Sequence, residues 1–283
     1  MKIFVTGATG FIGSHFINEV TLKNHDVIAL KRSNDSHPRI KIKKEPKWLV
    51  KELCDVNEVD LKGVSILVHF AAHSANVPYD NLENCVKNNV LDPLSLVKKA
   101  IKAKVENFVI AGSCFEYGEI GDKYDYIPTD APLTPKHTYP TSKAISSLIF
   151  KQLTYDFKIK IIYNRIFQVY GEGEYENRLW PALKKAALMN KNFDLTHGEQ
   201  IRDFINVKDV AKVFYKDCME IVNKKNYGMN IKHVGSGNPM SIKEFAEKWW
   251  LKWNSKGKLN FGKIAYRKNE VMRFVPEIKK IGL

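Results

Sequence analysis

The sequence predicts an α/β protein built on a doubly wound parallel sheet with a smaller α/β lobe beside it, and three observations carry that expectation. Short apolar runs alternate with helical stretches as far as residue 167, the pattern of parallel strands joined by crossover helices. The first run breaks directly into Gly7-Ala-Thr-Gly10-Phe-Ile-Gly13 and then a helix, a strand, glycine turn and helix in the order a phosphate-binding junction needs. Beyond residue 168 the regular alternation ends, with Gly171, Gly173 and the run Asn177-Arg178-Leu-Trp-Pro181.

Residues 2–6 form the first strand, and residues after the glycine turn, to about 23, form an amphipathic helix. Glycines permit the tight turn and let backbone N–H groups approach a pyrophosphate at the positive end of the helix. Gly7, Thr9, Gly10, Phe11, Ile12 and Gly13 are therefore candidate cofactor-binding residues, although the spacing is Gly-x-x-Gly-x-x-Gly and not the commoner Gly-x-Gly-x-x-Gly. The second strand, 26–30, ends in Lys31-Arg32-Ser33. An acidic residue there would hold a ribose 2′-hydroxyl and repel a 2′-phosphate, whereas two cations would hold the phosphate. NADP(H) is favoured on this ground and NAD(H) remains possible.

A third strand at 48–50 precedes Asp55-Val56, and a fourth at 66–70 runs into Ala71-Ala72. A long helical stretch, 81–104, contains Asn88-Asn89, and a fifth strand at 107–112 delivers Ser113 to the carboxyl edge of the sheet, where ligands bind in such folds. After a proline-rich loop a helix begins near Tyr139 and runs to about 156, followed by a strand at 159–167. The remainder reads as a smaller lobe over the ligand cleft, interleaved with returns to the main sheet: a strand at 201–205, a helix at 207–222 and a strand at 230–234. A helix at about 241–253 and a tail with Tyr266-Arg267 complete the chain. Residues 1–168 with 203–234 are expected to form the dinucleotide-binding domain, and 169–202 with 235–283 the second lobe.

Tyr139 and Lys143 stand four apart, so on a helix they share one face. A tyrosine of pKa near 10 is a poor proton carrier at neutral pH. A fixed neighbouring cation lowers that value and makes the phenol a usable general acid or base. Taken alone, the pair reads first as an ordinary surface Tyr and Lys, and the rest of the chain is what overturns that reading.

Composition excludes several classes. At 44% hydrophobic and 27% charged residues the chain is globular. The net charge of +14 is spread along the sequence, and no nucleic-acid-binding signature accompanies it. Four dispersed cysteines, with no Cys-x-x-Cys pair and no histidine at ligand spacing, point to a reduced interior and no metal site. No apolar run approaches the roughly 18 residues of a membrane span. A cytoplasmic protein is expected, with no membrane or nucleic-acid partner.

Thr6-Gly7-Ala-Thr-Gly10-Phe-Ile-Gly13, Asp55-Val56, Ala71-Ala72, Asn89, Ser113 four places before Tyr117-Gly118, Tyr139-x-x-x-Lys143 and Arg202-Asp-Phe together resemble the extended short-chain dehydrogenase/reductases that act on nucleotide sugars, along essentially the whole chain. The resemblance implies a Rossmann fold. It implies that Ser113 hydrogen-bonds the reacting sugar oxygen, Tyr139 transfers its proton, and Lys143 binds the nicotinamide ribose and lowers the tyrosine pKa. It places Asp55 and Val56 at the adenine, and Ala71, Ala72 and Asn89 among the cofactor contacts. Arg202 and Arg267, with Arg178 as a further candidate, match positions that meet the substrate phosphates. Gln168 stands where many members have Asn. Cys114 and Phe115 occupy the two positions that 4,6-dehydratases fill with Asp-Glu, so dehydration is not expected. Of the two remaining chemistries, 4-epimerisation with bound NAD and 4-ketoreduction with free NADPH, Lys31-Arg32 and the run from Phe261 to Met272 favour reduction of a CDP- or dTDP-linked 4-keto-deoxyhexose, as in O-antigen precursor synthesis. Such enzymes suggest a homodimer through helices that include the Tyr139 helix.

Overall fold

The computed structural model describes residues 1–268 and 270–278. Along the chain run β1 (Lys2–Thr6), α1 (Phe11–Thr21), β2 (Asp26–Lys31), β3 (Lys47–Val50), β4 (Ile66–His69), α2 (Leu82–Val86), α3 (Asp92–Lys102) and β5 (Asn107–Ser113). Then follow α4 (Thr138–Asp156), β6 (Lys160–Ile166), β7 (Gln168–Tyr170), α5 (Leu179–Leu188), β8 (Phe193–Asp194), β9 (Ile201–Asn206) and α6 (Val207–Asn223). β10 (Gly228–Val234), β11 (Pro239–Ser241), α7 (Ile242–Lys252), β12 (Leu259–Asn260) and β13 (Arg273–Phe274) complete the order.

Seven strands form the main sheet in the order β10-β6-β5-β4-β1-β2-β3, every pair parallel. Side chains alternate across the pleat. Ile3 and Val5 of β1 therefore pack on one face with Phe16, Ile17 and Val20 of α1 and Phe214, Cys218 and Ile221 of α6. Phe4 packs on the other with Leu96 and Val97 of α3 and Phe150 and Leu153 of α4. Covered on both faces, the central strands read in the sequence as unbroken apolar runs. Each fully buried Phe, Ile or Leu contributes about 1.5–3 kcal/mol.

The chain leaves β1 toward β2 and β3 and then crosses to β4, β5 and β6, so the crevice of this sheet lies at the carboxyl ends of β1 and β4. α2 continues into α3 through a π-turn at Lys87–Leu91, which buries Asn89 and Val90. Among the described residues no helix is long and apolar enough to cross a membrane.

β9 is the axis of the second, four-stranded sheet, pairing with β7, β11 and β13. Residues 201–205, read from the sequence as a return to the main sheet, belong instead to this lobe. Asp203, fully buried on β9, accepts hydrogen bonds from the Ser236 N–H (2.5 Å) and the Gly237 N–H (2.8 Å). It fastens β9 to the turn beyond β10 and leaves α6 and β10 as the true returns. The lobe's core is aromatic: Trp180, Phe245, Trp249 and Trp250 are buried together, and Phe204 stacks on Phe245 at 3.9 Å. α7 opens with a capping box, the Ser241 hydroxyl accepting from Glu244 N–H while the Glu244 carboxylate accepts from Ser241 N–H.

Candidate active site

A cleft of about 1210 Å³ opens along the carboxyl edge of the main sheet, from the glycine turn to the start of α5. Of the residues singled out in the sequence, Gly7, Thr9, Gly10, Phe11, Ile12, Gly13, Lys31, Arg32, Ala71, Ala72, Ser113, Cys114, Phe115, Tyr139, Lys143, Gln168 and Arg178 line it. Asp55, Val56, Asn89, Arg202 and Arg267 do not.

The turn after β1 is built by close approach. Gly7 has φ +64°, and a Cβ there would lie 2.5 Å from the Ala71 nitrogen; a Cβ on Gly13 would lie 2.1 Å from the Gly7 carbonyl oxygen. α1 can thus start directly against the turn. Its N-cap is Gly10, with no side-chain capping hydrogen bond, so the first-turn N–H groups lack a side-chain acceptor and border the cleft at the sheet's crevice. This arrangement fits the diphosphate of a dinucleotide.

At the outer end of the crevice Lys31 and Arg32 reach the cleft as expected, but Arg32 faces Glu52, with Nε 3.8 Å from Oε2, and Glu52 lines the cleft too. Ser36, His37 and Arg39 add to this wall. The loop that bears them crosses the glycine turn: Arg39 N–H donates to the Thr9 carbonyl (3.1 Å), and the Asn18 amide holds the Lys41 carbonyl (3.0 Å) and the Lys43 N–H (2.8 Å). No motif marks this loop in the sequence. Asp55 is exposed and Val56 is wholly buried in the core, so the neighbouring wall is made by Lys51, Glu52, Leu53 and Cys54. Asn89 is a clamp: its amide donates to the His73 carbonyl and the Ser142 hydroxyl (3.0 Å each) and accepts from His73 N–H (2.7 Å). It ties the loop after β4 to α4.

Ser113, Tyr139 and Lys143 meet at the carboxyl end of β5, and all three are buried. Burial pushes the Tyr139 phenol well above its ordinary pKa. A Ser113 hydrogen bond works against that shift, and Glu116, Cys114 and Tyr79 add to it. The expected lowering by Lys143 is not found in this structure. The Lys143 ammonium donates to the Ala111 carbonyl (2.7 Å), and burial lowers its own pKa against the pull of Glu116. Tyr139 is accordingly held as a phenol. Tyr79, which the sequence did not mark, stacks on Tyr139 with ring centroids 5.7 Å apart. Its loop is fixed by Asp80, which pairs with His73 Nε2 (2.7 Å) and whose carbonyl accepts from the Thr138 hydroxyl (2.7 Å).

Beneath Ser113 lies a buried polar network. Glu116 Oε1 accepts from Ser113 N–H (2.8 Å) and from the Tyr163 hydroxyl (2.8 Å), while Oε2 accepts from Arg165 Nε (2.8 Å). Arg165 also donates to the Tyr117 hydroxyl (2.7 Å), which contacts His233 Nε2 at 2.6 Å. Glu116 is thus bound on both oxygens and makes no part of the cleft wall. Cys114 is a buried thiol, pushed up to about 12 by burial, and Phe115 is apolar, so the two dehydratase positions hold neither acid nor base.

The arginines divide. Arg202 donates to Glu270 (3.1 Å) and to the carbonyls of Ile201 (2.9 Å) and Val271 (2.7 Å), pinning the segment before β13. In this structure the Arg202 guanidinium is thus paired with Glu270 and lies outside the cleft wall. Arg267 is exposed outside the cleft, although its charge and that of Arg178 both bear on Tyr79. Arg178 lines the cleft, and its charge bears on Cys114 as well. No group of three or more His, Cys, Asp or Glu side chains among the described residues could hold a metal ion.

Comparison with known proteins places these features in a family. The chain is 29% identical over 275 residues to CDP-abequose synthase from Salmonella muenchen, covering 96% of this chain and 87% of the relative. It is 27% identical over 294 residues to a putative UDP-glucose 4-epimerase from Methanocaldococcus jannaschii, covering 98% and 90%. Among solved structures, MoeE5 in complex with UDP-glucuronic acid and NAD shares the fold, with a TM-score of 0.82 at 24% identity over 99% of this chain and 91% of that one. Residues 3–231 match the NAD dependent epimerase/dehydratase family, and the chain belongs to that family.

Proposed function

We propose that this protein is an NADPH-dependent nucleotide-sugar 4-ketoreductase, acting on a CDP- or dTDP-linked 4-keto-6-deoxyhexose in deoxysugar and O-antigen precursor synthesis. The observation that carries the reading is the burial of Ser113, Tyr139 and Lys143 together at the carboxyl end of β5, in one cleft with an uncapped helix start. The nicotinamide cofactor, when bound, supplies the hydride to sugar C4. Tyr139, protonated at neutral pH, supplies the proton to the C4 oxygen as negative charge develops there. Ser113 orients the same oxygen. Lys143 is buried where a ribose hydroxyl can take the place of the Ala111 carbonyl as its acceptor. Gly7, Thr9, Gly10, Phe11, Ile12 and Gly13 bind the pyrophosphate, with Ala71 and Ala72 behind it, and Lys31 and Arg32 bind the 2′-phosphate. Cys114, Phe115 and Gln168 form the sugar wall, and Arg178 meets the sugar diphosphate. The enzyme works in the cytoplasm as a homodimer.

The similarity to CDP-abequose synthase supports reduction. A second reading, an NAD-dependent 4-epimerase, is favoured by Glu52, whose carboxylate sits against Arg32 and can accept from a ribose hydroxyl. The similarity to the putative 4-epimerase points the same way.

The test is a panel of CDP- and dTDP-linked 4-keto-6-deoxyhexoses with NADPH or NADH, followed by loss of reduced-cofactor absorbance. Stoichiometric oxidation, faster with NADPH, is expected. Purified protein that carries tightly bound NAD and interconverts nucleotide sugars without added reductant would favour the epimerase instead.

A further inference from the structure

The loop between β7 and α5 carries a carboxylate with no evident structural task. The side chain of Glu174 is only 7% exposed, and its nearest cation is Arg178, with Nε 3.6 Å from Oε1, a separation beyond a good hydrogen bond. The other oxygen, Oε2, accepts no hydrogen bond among the described residues. A buried carboxylate with one oxygen unsatisfied and a loose ion pair on the other is costly to hold ionised. Glu174 also occupies a particular place. It lines the cleft together with Arg178, and it lines a second cavity of about 370 Å³ behind the start of α5. Arg178 is the N-cap of α5, half-exposed, and its charge reaches both Tyr79 and Cys114 at the sugar end of the cleft.

We propose that Glu174 parks Arg178 in the substrate-free enzyme and takes up a proton when the diphosphate of the nucleotide sugar draws that guanidinium into the cleft. The inference rests on the nucleotide-sugar reading given above. An anionic diphosphate offers Arg178 a bidentate partner that the single long contact to Glu174 does not. Once Arg178 has moved, the Glu174 carboxylate loses its counter-charge while remaining buried, and protonation is the state that burial then favours. Already in this structure burial raises its carboxyl to about 7, against the pull of Arg178 and the Gly171 backbone. The other titratable and charged groups around it are Lys184 and Lys185 of α5 across the small cavity, Arg39 of the loop packed on Gly173, His15 of α1, whose Nε2 lies 2.9 Å from the Glu172 carbonyl oxygen, and the exposed Glu172 and Glu176 of its own loop.

Isothermal titration of the whole protein with CDP-glucose and with dTDP-glucose tests this, run at several pH values in phosphate and in Tris so that the difference in heat reports protons exchanged. Neither sugar nucleotide titrates between pH 6 and 9. Near pH 7 the wild type should take up about half a proton, rising toward one by pH 8.5, with affinity weakening about tenfold across that interval. In Glu174→Gln the amide cannot take up the proton, so this share of the uptake and of the pH dependence should vanish, and binding at pH 8.5 should be about tenfold tighter than wild type. Arg178→Gln should bind more weakly and also lose the linkage. Binding of either nucleotide sugar with no proton uptake, or with the same uptake in Glu174→Gln, would overturn the proposal alone. No binding of either, with NADPH still bound, would overturn it together with the nucleotide-sugar reading.

Discussion

Replacing Glu116 by valine removes the one carboxylate on which the floor of the candidate site converges. Its side chain is fully buried and its partner Arg165 is 4% exposed, at 2.8 Å. Removing one member of a buried ion pair leaves an uncompensated charge and costs about 3–5 kcal/mol. Ser113 N–H and the Tyr163 hydroxyl lose the same acceptor, and a buried unsatisfied donor costs about 1–3 kcal/mol. Because the four groups form one network these costs overlap, and a total near 5 kcal/mol is expected, comparable with the whole stability of many domains. Urea unfolding followed by circular dichroism measures it. Adding Arg165→Met should restore about 3 kcal/mol, because the stranded charge is then gone; the Arg165 bonds to Tyr117 and Thr129 keep the recovery incomplete. A Glu116→Val loss below about 1 kcal/mol, or a double mutant as unstable as the sum of the singles, would refute the view that this ion pair organises the Ser113 floor.

Three further outcomes are expected. Tyr139→Phe should lower kcat by roughly 10²–10⁴-fold with cofactor affinity nearly unchanged, read by steady-state rates and by fluorescence titration of the reduced cofactor. Lys31→Ala and Arg32→Ala should each weaken NADPH binding by roughly tenfold or more while leaving NADH nearly unaffected, since a charge-assisted contact to the 2′-phosphate contributes about 1.5–3 kcal/mol; equal losses for both cofactors would remove the 2′-phosphate role. His69 and His233 are buried and held at about 3 and about 4 by desolvation. Their folded values lie below the unfolded 6.5, so their contribution is complete above pH 6.5 and is lost as pH falls toward those values, by up to about 1.4 kcal/mol per pH unit for each. Urea midpoints measured from pH 7 to 4.5 should fall accordingly, and should fall less steeply in His69→Gln.

The central strands of the main sheet were legible because burial on both faces leaves a largely apolar signature in β1, β4, β5 and β6. β9 was harder to place. It is short, with only Asp203 and Ile205 buried, and such a pattern fits either sheet; the backbone pairings that decide, with β7, β11 and β13, join residues 36 or more positions apart. The glycine turn and the Ser113, Tyr139 and Lys143 set were legible as motifs, and the structure brings them into one cleft. The surroundings of those residues were not. Whether a lysine four residues from a tyrosine acts on it depends on what else the ammonium can reach, and here that is a carbonyl on β5. Arg202 matched a phosphate position, yet a guanidinium serves equally well against Glu270, 68 residues away. Tyr79 and Arg39 border the cleft through loops whose shape is set by hydrogen bonds to Asp80, Thr9 and Asn18, and no spacing rule marks such contacts.

The most direct measurement is deuterium transfer. Incubating the protein with a dTDP- or CDP-linked 4-keto-6-deoxyhexose and NADPH deuterated on the transferred position, then examining the product by NMR, follows the hydride itself. Reduction through Tyr139 predicts one deuterium on sugar C4 for each cofactor oxidised, and no transfer in Tyr139→Phe on the same timescale. Sugar interconverted with no deuterium at C4 and no cofactor consumed, or transfer undiminished in Tyr139→Phe, would contradict it.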